Sequence, residues 1–172
     1  PVNSALLAFG ELHNSLAQSI KFKPNNIHTS AKIHPSVVIA NEGVIIGENT
    51  LIEPFVSIES GTEIGSNSIV RAGVRLGGDA LDIKRKSDGT YLMSIHLGKL
   101  EIGNNVEIGH NSVVDKALFR HQTTKVGDQS KIACLCNISH GVVLGKANKL
   151  AAGVKICGST IIGVEIVDGN TE

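Results

Sequence analysis

Tryptophan is absent from the 172-residue sequence, and only five aromatic residues (Phe9, Phe22, Phe55, Tyr91 and Phe119) are present. So few rings cannot fill a core, which must therefore be aliphatic. Excess charge of either sign is also missing, with 16 Lys+Arg against 16 Asp+Glu. A nucleic-acid binder or membrane-surface protein would show a basic excess, so neither is expected as a partner. No apolar run approaches the roughly 20 residues of a membrane-spanning helix, and no basic segment precedes an apolar one at the start. The expectation is one cytoplasmic domain with no transmembrane segment. Three cysteines, Cys134, Cys136 and Cys157, are an odd number set in aliphatic runs. That excludes a secreted disulfide framework and reads as small buried thiols.

What the sequence has in abundance is glycine (19 residues), isoleucine and valine, a composition of short strands and frequent turns. An aliphatic residue recurs every six positions: Ile27, Ile33, Ile39, then after a one-residue slip Ile46, Ile52, Ile58, Ile64, Val70 and Leu76. The pattern resumes at Ile102, Ile108 and Val114, and again from Val126 through Ile132, Ile138, Leu144, Leu150 and Ile156 to Ile162. Neither a helix nor a lone strand has that period. It fits a short strand plus a corner, with glycine and asparagine making the corners because they tolerate positive φ. Three such units close a triangular turn, and stacked turns pair into a solenoid of parallel strands. The fold class predicted is all-β, a parallel β-helix over 27–167.

Two segments break the repeat. Ala5, Phe9, Leu12, Leu16 and Ile20 are at helical spacing, so residues 1–26 are predicted to hold a short amphipathic capping helix and a lead-in. Residues 79–100 are polar at first, with Asp82, Lys84, Arg85, Lys86 and Asp88, and are predicted as one long inserted loop of the functional kind. A tail is expected at 168–172.

Hexapeptide units of this form resemble the left-handed β-helix acyltransferases, across roughly residues 27–163. Within that superfamily the chain is similar to the UDP-3-O-acylglucosamine N-acyltransferases of lipid A synthesis. The likeness is carried by Asn3-Ser-Ala-Leu-Leu-Ala-Phe9, Leu76-Gly-Gly-Asp79, Leu97-Gly-Lys-Leu-Glu-Ile-Gly-Asn-Asn-Val-Glu-Ile-Gly109, Asn137-Ile-Ser-His-Gly-Val-Val-Leu-Gly145 and Ala151-Ala-Gly-Val-Lys-Ile-Cys-Gly-Ser-Thr-Ile-Ile-Gly163. The resemblance implies a homotrimer with active sites between neighbouring prisms. It also implies acyl transfer from acyl carrier protein or coenzyme A (CoA) thioesters to the amine of a UDP-aminosugar, with no tightly bound cofactor. Against the family pattern the chain is expected to lack an N-terminal nucleotide-binding domain and the last C-terminal coils. Ala133-Cys134 stand where the family has an Asp-Asn pair, and Gly141 where it has Asn.

Amide formation requires the attacking amine to lose its proton, and histidine is suited to a general base near neutral pH. His140 is the candidate; the alternative is a surface or interface histidine. Asp115 is the candidate orienting acid, against a solvated corner acid. A backbone N–H at Gly141 or Gly158 would serve an oxyanion. Lys84, Arg85 and Lys86 would meet the donor's phosphates, against a merely solvated loop. Cysteine-based acyl-enzyme chemistry is disfavoured because no base is paired with the three thiols in the sequence. Two further readings stand beside this one: a non-catalytic trimeric scaffold, and a zinc protein like the gamma-class carbonic anhydrases using His110, His121 and His140.

Overall fold

In the computed structural model, which describes residues 2–17 and 19–163, the repeat becomes a triangular prism. The tail expected at 168–172 lies outside the described residues. Nearly every sixth-position aliphatic ends a strand only two to four residues long. Strands one full turn apart pair in parallel into three sheets of seven, six and six strands. The first face runs from Asn26–Ile27 to Ile161–Ile162, the second from Lys32–Ile33 to Lys149–Leu150, and the third from Val38–Ile39 to Lys155–Ile156.

Because the period matches one face of the triangle, each face lines up its own aliphatic ladder. On the first face Ile46, Ile64, Ile102, Val126 and Leu144 are in register; on the second, Ile52, Val70, Ile108, Ile132 and Leu150; on the third, Ile58, Leu76, Val114, Ile138 and Ile156. All are buried. Each such side chain removed from water contributes about 2 kcal/mol. Two residues before each rung lies a second inward position that takes small side chains: Val44, Thr50, Val56, Thr62 and Ser68 in the early turns. The hydroxyls of Thr50 and Ser68 hydrogen-bond to a neighbouring turn, Ser68 Oγ donating to the Gly103 carbonyl at 3.0 Å, while that of Thr62 is buried without a partner. Corners carry the expected left-handed residues, with Asn49, Asn67 and Asn105 stacked at φ 54°, 56° and 57°. Phe55 and Leu135 hold the same conformation on a different edge, with most of their side chains in solvent.

The repeat position also sorts the thiols. Cys136 occupies the small inward site and is buried, whereas Cys134 and Cys157 fall in corner units and are exposed, contrary to the expectation of three buried thiols.

The helix spans Val2–Ala17 and packs chiefly on the insertion. The insertion is more ordered than a loop: Ile83–Arg85 and Tyr91–Met93 form an antiparallel hairpin closed around Gly89. The helix approaches it at Gly10, where a Cβ would lie 2.8 Å from Leu92 Cδ2. Asn14 Nδ2 donates to the Met93 carbonyl at 2.7 Å, and Phe9 and His13 pack against Phe119 with ring centroids 6.1 and 5.5 Å away. The lead-in covers the first turns instead, laying the Phe22 ring over Gly43.

Candidate active site

Two excursions leave the prism at the same edge, between the third and first faces: the hairpin after Gly78 and residues 116–122. They build a wall beside the next corner down, which is His140-Gly141. Here a cleft of about 450 Å³ is lined by Asp79, Asp115, Asn137, Ser139, His140 and Cys157. A larger groove of about 630 Å³ follows the first face, past Gly65 and Gly103. Its charged groups are neutralised in pairs, Lys125 with Glu101 at 3.0 Å and Lys146 with Asp128 at 3.2 Å, and it holds no histidine. The smaller cleft, by contrast, brings His140 together with two carboxyl groups, Asp79 and Asp115.

His140 follows the strand Asn137–Ile138 and is half-buried. Its ring lies over Gly158 of the next turn, where a Cβ would stand 2.6 Å from Nε2. On another side it meets the ring of His96, with centroids 5.5 Å apart and planes at 74°. His96 did not stand out in the sequence, because it lies outside the repeat. It is 2% exposed, and neither ring nitrogen has a hydrogen-bond partner. Burial holds its pKa below the usual histidine range, helped by the charges of His140 and Lys116 and opposed by Asp79. The imidazole is therefore neutral at neutral pH.

Asp115 ends the strand Val113–Asp115 where the register slips, so that it pairs with Gly78 instead of Gly77. This irregularity turns the carboxyl into the wall rather than leaving it on an outer corner. Burial, reinforced by the nearby Asp79, raises its pKa to about 6. Asp79 also accepts the His96 backbone N–H at 3.3 Å and pairs with Lys116 at 3.2 Å.

The other candidates are scattered. Gly141 donates its N–H to Thr124 Oγ1 at 2.8 Å, so that donor is committed to the fold. Gly158 makes room for the His140 ring. In the hairpin Lys84 turns inward to Asp82 and Ser94, at 3.0 and 2.9 Å, while Arg85 on the opposite side is exposed and Lys86 is half-buried. Ala133 follows Lys131–Ile132 at the edge between the second and third faces, a different corner from that of His140. The three histidines of the zinc reading are not brought together. His110 lies beside Cys134 and Glu53, His121 stacks on Phe119, and His140 meets His96. Among the described residues no group of three or more His, Cys, Asp or Glu is arranged to hold a metal.

A family model described as bacterial transferase hexapeptide (six repeats) matches residues 43–78, which is the run of regular turns before the insertion. The chain is a hexapeptide-repeat protein. Such a protein from Helicobacter pylori (strain J99 / ATCC 700824), named UDP-3-O-acylglucosamine N-acyltransferase, is 36% identical over 98% of this chain and 56% of its own length. The chain spans about half the length of these curated relatives, 45% and 56% for two Helicobacter pylori strains. Among solved structures, a hexapeptide transferase family protein from Anaplasma phagocytophilum superposes with TM-score 0.63 at 18% identity, covering 81% of this chain and 70% of the other. LpxA from Acinetobacter baumannii gives TM-score 0.51 at 26% identity, covering 78% and 54%. With these neighbours the fold is a left-handed parallel β-helix, as the sequence led us to expect.

Proposed function

We propose that this hexapeptide-repeat protein is an N-acyltransferase that moves an acyl group from a pantetheine thioester, on acyl carrier protein or CoA, to the amine of a UDP-linked aminosugar. The observation that carries this reading is the setting of His140. Its ring has no hydrogen-bonding side chain among the described residues, so its nitrogens are left for a substrate, and it faces a cleft lined by Asp79 and Asp115, with the buried His96 ring packed against it. The named relatives act as support, since an N-acyltransferase needs a base of this kind in a cleft of this kind.

In this mechanism the acceptor enters as an amine near His140, which takes the proton as nitrogen attacks the thioester carbonyl. Collapse of the tetrahedral adduct expels the pantetheine thiolate, and the proton held by His140 returns to that sulfur. No covalent enzyme intermediate is required. Asp115, ionised above about pH 6, adds a negative field near the imidazolium without a direct hydrogen bond to it. The exposed Arg85 on the hairpin is the candidate to meet a phosphate of the donor, with Lys86 beside it. We further propose a homotrimer in the cytoplasm, in which a neighbouring copy closes the open side of the cleft.

The experiment is direct. The protein is incubated with a UDP-3-O-acylglucosamine acceptor and with acyl thioesters of carrier protein or CoA, and thiol release is followed. Release that depends on the acceptor supports the transferase. Its absence with every donor, in a folded protein, favours a scaffold.

A further inference from the structure

The His140 ring is held by no hydrogen bond among the described residues. Below it is the open face of Gly158. One ring touches it from the side, that of His96. We propose that His96 is a positioning residue for His140, and that the N-terminal helix and the two excursions exist at this edge to hold His96 in place. The proposal rests on the transferase reading for its kinetic consequence and on geometry alone for the rest.

The segment 95–97 is clamped on both sides. Asn14 of the helix accepts the Ile95 N–H at 2.9 Å, and His13 Nε2 contacts the Ile95 carbonyl at 2.9 Å. On the far side Leu97 N–H donates to the Leu118 carbonyl at 2.9 Å, and the His96 N–H itself goes to Asp79. Helix, hairpin base and 116–122 excursion thus converge on one imidazole that no side chain hydrogen-bonds.

Burying two ring nitrogens without partners is destabilising relative to a satisfied site. A core position filled for stability alone would take a leucine or phenylalanine. The charged groups facing the ring are Asp79, Asp82, Lys116 and His140. With the cation Lys116 among them, a neutral His96 lets His140 gain a proton without a second positive imidazole beside it. Edge-to-face packing then fixes the plane of the base while leaving its nitrogens to substrate.

The test compares His96→Phe, which keeps a ring, with His96→Leu, which keeps bulk without one. Both remove the unpartnered nitrogens, so both should melt at or above the wild-type temperature. A first readout needs no substrate: diethyl pyrocarbonate modification of His140, followed by mass spectrometry with the exposed His28 and His34 as internal standards. Modification of His140 should accelerate several-fold in His96→Leu and stay near wild type in His96→Phe. In the transferase assay His96→Leu should lower kcat about 10- to 100-fold with KM within about twofold, the signature of a misplaced base, and His96→Phe should recover most of it. The proposal is overturned if His96→Leu leaves modification of His140 unchanged, or if His96→Phe is as impaired as His96→Leu. Absence of any transferase activity would defeat the reaction assigned above, while the modification rates would still decide the role of His96.

Discussion

The side chain that Gly158 lacks would occupy the space of the His140 imidazole, its Cβ falling 2.6 Å from Nε2. No positive φ is recorded at Gly158, so alanine meets no backbone objection there. The obstacle is the end of a side chain that can swing away. Gly158→Ala should therefore fold with stability within about 1 kcal/mol of wild type and displace the base. We expect acyl transfer to fall on the order of 100-fold, the cost of a shift of about 1 Å in a reacting group. Equal losses of melting temperature and activity would contradict this.

Asp115 makes stability depend on pH in an unusual direction. Its folded pKa, about 6, lies above the ordinary value of 3.8. Below pH 3.8 the carboxyl is protonated in both states and contributes nothing. Between 3.8 and about 6 the unfolded chain ionises first, so stability falls as pH rises, and above 6 the full penalty remains. Asp115→Asn should thus stabilise the protein by about 2 kcal/mol more at pH 8 than at pH 4, the scale set by a shift of this size. Urea unfolding at both values checks it, and a pH-independent difference would refute the buried carboxylate.

The aliphatic ladders were legible in the sequence because period six is the geometry of one face, so residue spacing translated directly into register. The small inward site was legible too, and applying it to Cys134 and Cys136 would have separated an exposed thiol from a buried one. The hairpin was less so. Ile83, Leu92 and Met93 lack neighbours that alternate cleanly, and only Asp88-Gly89 signals a turn. His96 was invisible, since its burial arises from three segments far apart in sequence, the helix at Asn14, the loop at Asp79 and the excursion at Leu118. The bulge that buries Asp115 is likewise a product of pairing between turns, which no local pattern records.

Thiol labelling checks the sorting of cysteines. Under native conditions Ellman's reagent should react with Cys134 and Cys157 and spare Cys136, whose Sγ contacts the Ala151 carbonyl at 3.2 Å inside the prism. All three should react after unfolding. Fast native labelling of Cys136 would mean that the repeat is out of register there.

Ladder residues should dominate stability. Ile108 is fully buried between Val70 and Ile132, and Ile108→Ala should cost about 2–5 kcal/mol by removing packed atoms and leaving a cavity. Val38, 67% exposed at the end of the third face, should change stability by no more than about 0.5 kcal/mol when cut to alanine. Chemical denaturation of the two variants measures both, and comparable losses would argue against a core built on these ladders.

The most direct test of the assigned chemistry is the rate of acceptor-dependent thiol release by His140→Ala at neutral pH. Removing a general base should lower kcat on the order of 100- to 10,000-fold while the variant keeps the wild-type melting temperature. A folded His140→Ala protein that transfers acyl groups at the wild-type rate would contradict the account.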